Sequence, residues 1–104
     1  MLACVGNILE FTQGFSKAQF LADLKTIRAT AFEIGMLGEA AKHIPEAIKS
    51  QHPEIHWRSI IAARNMVVHE YFRIDEEILW QTVSEDIPPL HEKLKLILDT
   101  GSRD

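Results

Sequence analysis

The residues best equipped for chemistry crowd into one short run, Arg64-Asn65-Met66-Val67-Val68-His69-Glu70-Tyr71. It holds a permanent cation, an amide, an imidazole and a phenol at the end of an otherwise apolar segment. An imidazole titrates near neutral pH, so His69 can take a proton from a ribose 2′-hydroxyl or give one to a leaving 5′-oxygen. The guanidinium of Arg64 can grip a phosphate through paired N–H donors and stabilise charge developing on its oxygens. Groups of this kind can break a phosphodiester without a metal.

Helix geometry limits how these groups meet. Residues five apart on a straight helix are rotated by about 140° and separated by about 7.5 Å along the axis, so Arg64 and His69 do not share a face. Either the helix loosens in its last turn, or two copies of the run come together across a dimer. Arg64 and Tyr71, seven apart, lie within about 20° of each other. A plainer role also fits the types: an arginine and a histidine near a helix C-terminus commonly cap carbonyls and favour the macrodipole.

Other candidates are weaker. His52 and His56 have the spacing of a helical metal pair, but Pro53 between them argues against a continuous helix there. Glu39 and Lys42 read as a solvated ion pair or an interface feature. Trp57 and Trp80 read as core anchors, and Cys4 as a buried or partly exposed thiol. No glycine-rich phosphate loop, nucleophilic serine constellation or paired-carboxylate motif stands out, and neither a metal nor a cofactor is expected.

The elements that must carry the run are helical. Leu2, Val5, Ile8 and Leu9 recur at helical spacing up to Gly14, which suits the residue just past a helix end. Ser16 and Gln19 form a capping box, with Phe15 and Phe20 placed as a hydrophobic staple. From Asp23, the stripe Leu24, Ile27, Ala31, Ile34, Gly38 and Ala41 lines one face of a long helix. Gly35 and Gly38 each cost that helix up to ~1 kcal/mol relative to alanine, which predicts close approach of another backbone, within the chain or across a dimer. Glu46 to Lys49 suits a turn or short helix, Pro53 to His56 a loop, and helix resumes at Trp57. Asp75 is the expected N-cap of a last segment whose stripe runs from Ile78 or Leu79 through Val83, Ile87, Leu90 and Leu94 to Ile97. Pro88 and Pro89 predict a kink or a division into two helices there. The expectation is an all-α, up-and-down bundle of four or five helices, one domain over residues 1–104 with a frayed tail from about residue 100.

Bulk properties set the class. The 104 residues are 46% hydrophobic and 25% charged, an ordinary globular composition with few aromatics. A core this size is only modestly stable alone, and docking onto a second copy would help. The net charge of −4 leans against nucleic acid unless basic residues converge, as Arg58, Arg64 and Arg73 could. The single cysteine fits a reducing cytoplasm, residues 1–7 do not read as a signal peptide, and no apolar run reaches membrane-spanning length.

Four ordered motifs give the chain a familiar look. Arg64-Asn65 with His69 and Tyr71 resembles the R-x4-H-x-Y signature of HepT-like HEPN proteins. Ile34-Gly35-Met36-Leu37-Gly38-Glu39-Ala40-Ala41-Lys42 is similar to that family's I-I-G-E-A-A-K helix. His52-Pro53-Glu54-Ile55-His56-Trp57 resembles its P-x-I-x-W loop, and Ile74-Asp75 with Ile78 and Trp80 the segment after the motif. The likeness spans about Ile8 to Leu98. Two departures stand out: the first helix begins one to two turns later than is usual, and Gly35 replaces a larger apolar residue.

The resemblance implies a homodimeric helical bundle with two motifs in one cleft, cutting RNA without metal as a toxin. His69 would then be the general acid/base, Arg64 the phosphate and transition-state ligand, and Asn65 the residue orienting the site. It further implies an MNT-type nucleotidyltransferase antitoxin that neutralises the toxin by transferring AMP to Tyr71. The competing readings are a non-catalytic regulatory or nucleotide-binding partner of such a transferase, which the acidic charge favours, and a purely structural helical dimer.

Overall fold

The computed structural model describes residues 1–67 and 73–101. Seven α-helices occur among them: α1 (Leu2–Thr12), α2 (Lys17–Leu21), α3 (Leu24–Lys42), α4 (Glu46–Gln51), α5 (Trp57–Val67), α6 (Glu76–Gln81) and α7 (Ile87–Gly101). A π-helical segment, Thr82–Asp86, joins α6 to α7. The long helices α1, α3, α5 and α7 form the bundle, and the short ones serve as connectors. No strand forms among the described residues, although Ile74 makes an isolated bridge.

Local signals place the boundaries. Gly14, just past the α1 cap residue Gln13, has φ +78°, a left-handed conformation that costs glycine little. Ser16 caps α2 through the Gln19 backbone N–H, while the Gln19 side chain accepts from the Ser16 N–H at 2.9 Å. Asp23 caps α3 through Thr26, and Asp75 caps α6 through Ile78. Residues 53–55 turn the chain before α5, as Pro53 implies.

The core is one cluster centred on α3. Ile27, Ala31, Ile34 and Leu37 pack with Val5 and Ile8 of α1, Phe20 of α2, Val67 of α5, and Leu79, Val83, Ile87, Leu90 and Leu94 of the last segment. Full burial of an aliphatic side chain of this size contributes ~1.5–3 kcal/mol. Trp80 and Trp57 pack against the cluster, Trp80 with its ring 5.1 Å from that of Phe20. The anticipated α3 stripe is buried apart from Leu24, which is 55% exposed. As the first residue of α3, Leu24 lies at the helix end, where the other helices offer less cover.

One expectation is corrected in the last segment. The interruption precedes the prolines: the ladder widens at Thr82–Asp86, where the Ile87 N–H reaches back to the Thr82 carbonyl. Pro88 and Pro89 then fall in the first turn of α7, where a missing N–H costs least. Hydroxyls of Thr82 and Ser84 bond back to the carbonyls of Ile78 and Trp80, a pattern that bends helices. α7 runs through Gly101, and residues 102–104 of the expected frayed tail lie outside the described residues.

The result is a slab of 45 × 30 × 17 Å. α3 is flanked by α1 on one side and α5 on the other, and α1 also packs on α7. In α5, Val67 is the one buried residue, so much of this helix remains uncovered. Among the described residues no helix is long and apolar enough to cross a membrane.

Candidate active site

α5 delivers the start of the chemistry-bearing run. Ile60, Ala63 and Val67 turn toward the core, which leaves Arg64 and Asn65 on the open side of the helix. Where α5 meets α3, Gly38 sits at the crossing. A β-carbon there would lie 3.4 Å from the Ile60 carbonyl oxygen and 3.4 Å from the Arg64 Cβ. The anticipated close approach at Gly38 is therefore made inside the chain. At Gly35 it is not: among the described residues a β-carbon there would meet nothing within 4 Å.

Close packing at Gly38 brings the next residue to the arginine. Arg64 Nη1 donates to Glu39 Oε1, and Glu39 Oε2 lies 3.8 Å from His43 Nε2 one turn along α3. Glu39 thus faces Arg64 and His43, rather than forming the expected solvated pair with Lys42. The Arg64 side chain remains 52% exposed, so it can meet a large ligand such as a nucleic-acid strand. Asn65 is exposed beside it.

His69 and Tyr71 lie outside the described residues. The ends of the connection that holds them are anchored, because the Asp75 N–H donates to the Val67 carbonyl at 2.7 Å. That bond, together with the Asp75 cap on α6, brings Val67 and Asp75 together on one side of the bundle.

Arg58, Arg64 and Arg73 are all exposed, but Arg58 points elsewhere. Six residues apart on a helix, Arg58 and Arg64 leave α5 in directions about 120° apart. Arg58 lines a shallow depression with Lys49, Pro53 and Trp57, away from the Glu39 pair. His52 pairs with Glu54 at 3.1 Å, and no group of three or more metal-ligating side chains forms among the described residues. A separate cavity of about 350 Å³ opens between α3, α5 and the last segment, floored by Ile34, Leu37, Ile60, Ile87 and Leu90; Arg64 is not part of its wall.

The Glu39 contact was not legible from spacing, because it crosses between two helices. Its one signal was that Glu39 directly follows a glycine in the long helix.

Comparison with known proteins settles the family. The description "Ribonuclease HepT-like" matches residues 1–97. The chain belongs to the ribonuclease HepT-like family. A protein of Thermococcus cleftensis named "Probable ribonuclease HepT" is 43% identical over 88 residues, which covers 85% of this chain and 80% of that protein. A Caldanaerobacter subterraneus protein named "Putative RNase TTE0752" is 32% identical over 91 residues, 88% of this chain and 81% of the relative. No solved structure matches the chain. The HepT-like match covers every motif on which the resemblance rests, from the α3 helix to the segment after Asp75.

Proposed function

We propose that this HepT-like chain is a metal-independent endoribonuclease, acting in the cytoplasm as the toxin of a toxin–antitoxin pair. The observation that carries the reading is Arg64, which stands on the open face of α5 at the head of an R-x4-H-x-Y run, with Glu39 on its guanidinium. In this reading Arg64 holds the scissile phosphate and balances charge on its oxygens. His69 accepts the 2′-hydroxyl proton as that oxygen attacks phosphorus, and the departing 5′-oxygen is protonated in turn. Asn65 orients the site.

Two copies complete it. Phe32, Gly35, Met36 and Glu39 occupy one face of α3 by their spacing of 3, 4 and 7 residues. Phe32 is 65% exposed and Met36 48%, so the face ends in an apolar patch beside the Arg64–Glu39 pair. Uncovered large apolar side chains at helical spacing mark a docking surface. A second chain seated there would bring two Arg64 residues toward one cleft, and it would also answer the problem that Arg64 and His69 do not share a face of one helix.

An MNT-type nucleotidyltransferase is the proposed antitoxin, with Tyr71 as acceptor of AMP. The added phosphate and nucleoside would repel and block an RNA strand at the same cleft. A non-catalytic regulatory role is the second reading, favoured by the net charge of −4.

The test is growth of a bacterial host on induction of the chain and of His69→Ala, followed by RNA cleavage by the purified proteins in EDTA. Arrest and EDTA-resistant cleavage that vanish in the variant support the toxin. Equal behaviour of two folded chains, without cleavage by either, favours the regulatory reading. Phe32→Asp, read by sedimentation, should shift a dimer to monomer and abolish cleavage with it.

A further inference from the structure

We infer that Glu39 is a positioning residue of the ribonuclease site, fixing the Arg64 guanidinium for the phosphate; the inference rests on the ribonuclease reading above. An arginine on an exposed helix face has several rotatable bonds and many accessible rotamers, and catalysis by a charged group depends on its being held where charge develops. Glu39 supplies the hold. It binds through Nη1, and a guanidinium has five N–H donors, so others remain for a phosphate.

The surrounding structure makes this contact specific. Gly38 lets α3 and α5 approach until the Arg64 Cβ lies 3.4 Å from where a β-carbon at residue 38 would be. Glu39 follows it on a rigid 19-residue helix, so its reach to Arg64 is set by backbone packing. The second carboxylate oxygen faces His43 at 3.8 Å. Oε1 is the oxygen that meets the guanidinium. Because the pair is exposed, with side chains 52% and 41% accessible, it adds little to stability. A contact of low structural value at the head of the candidate site is better accounted for by orientation.

The carboxylate also carries a charge that opposes an incoming phosphate. The two roles separate in kinetics: the hydrogen bond acts on kcat, while the repulsion acts on KM. Glu39→Gln keeps an acceptor oxygen and removes the charge, whereas Glu39→Ala removes both.

Cleavage of a single-stranded RNA oligonucleotide by the full chain, the two Glu39 variants and Arg64→Ala tests this. Glu39→Ala should lower kcat by about tenfold to a hundredfold, the range expected when a reacting group is displaced by about an ångström. Glu39→Gln should keep kcat within about threefold of the parent chain and lower KM, because the acceptor remains and the repulsion is gone. Thermal unfolding of both should match the parent chain. The Arg64 Nη–H resonances should stay dispersed in Glu39→Gln and move to the free-arginine position in Glu39→Ala, a readout that requires no turnover. Parental kcat in Glu39→Ala, or equal loss in both Glu39 variants, overturns the positioning role while the site reading stands. Cleavage by Arg64→Ala at the parental rate, or no cleavage by the parent chain, refutes the site reading and takes this inference with it.

Discussion

Two glycines three residues apart on α3 should respond differently to added bulk. Replacing a helix-interior glycine by alanine gains ~0.4–1 kcal/mol, by raising helix propensity and reducing the freedom of the unfolded chain. At Gly35 nothing among the described residues stands within 4 Å of the new β-carbon, so the full gain is expected. At ~4–8 °C per kcal/mol for a domain of this size, Gly35→Ala should raise the melting midpoint by roughly 2–8 °C. At Gly38 the β-carbon meets the Ile60 carbonyl and the Arg64 Cβ, both at 3.4 Å, at the near edge of ordinary van der Waals contact, so Gly38→Ala has less room to realise its gain. A net change within about 0.5 kcal/mol is expected there, and Gly38→Val should cost ~1–3 kcal/mol by overpacking. Urea unfolding followed by circular dichroism, at concentrations low enough to keep the chain monomeric, reads all three. A destabilising Gly35→Ala in dilute protein, or a Gly38→Val as stable as the parent, would refute the packing argument. At high concentration the Gly35 substitution has a second use: if the proposed dimer docks two α3 helices, the added bulk should weaken it even as it stabilises the single chain.

Other consequences follow from individual residues. Thr30 is fully buried and its hydroxyl has no partner among the described residues, so Thr30→Val should stabilise the chain by ~1 kcal/mol in the same urea assay. Burial, and then a hydrogen bond to Glu33, push the Cys4 thiol above its ordinary pKa. Its reaction with a disulfide reagent at neutral pH should therefore be slower than that of free cysteine, and faster in Glu33→Gln. The Glu54 carboxyl is held below its usual range, first by its own backbone N–H and then by His52 and Lys93. A carboxyl with a lowered folded pKa stabilises the fold fully above its ordinary value near 4.5, and that contribution is lost as pH falls through the lower folded value. Acid titration followed by fluorescence of Trp57, whose indole N–H donates to the His52 carbonyl, should show a local transition that disappears in Glu54→Gln.

Local rules carried most of the architecture. A capping box at Ser16, a left-handed residue at Gly14 and an N-cap at Asp75 act within three or four residues of themselves, so their effects can be read in one dimension. The core face of α3 was legible for the same reason, because 3.6-residue periodicity is a property of a single helix. Where several local terms competed, the reading slipped. Pro88 and Pro89 forbid ordinary hydrogen bonds, but the chain answers with a wide turn upstream at Thr82–Asp86, and neither proline announces that solution.

The chemistry divides along the same line. Residue types and intervals in one stretch of chain were enough to pick out Arg64, Asn65, His69 and Tyr71 and to establish that Arg64 and His69 do not share a face of a straight helix. Those properties belong to neighbours along the backbone. That Gly38 is packed and Gly35 open, and that Glu39 turns to Arg64 across a separation of 25 residues, was decided only when α5 lay against α3. A helix presents every one of its faces in sequence, and only the partner that packs against it determines which become interior and which side chains meet.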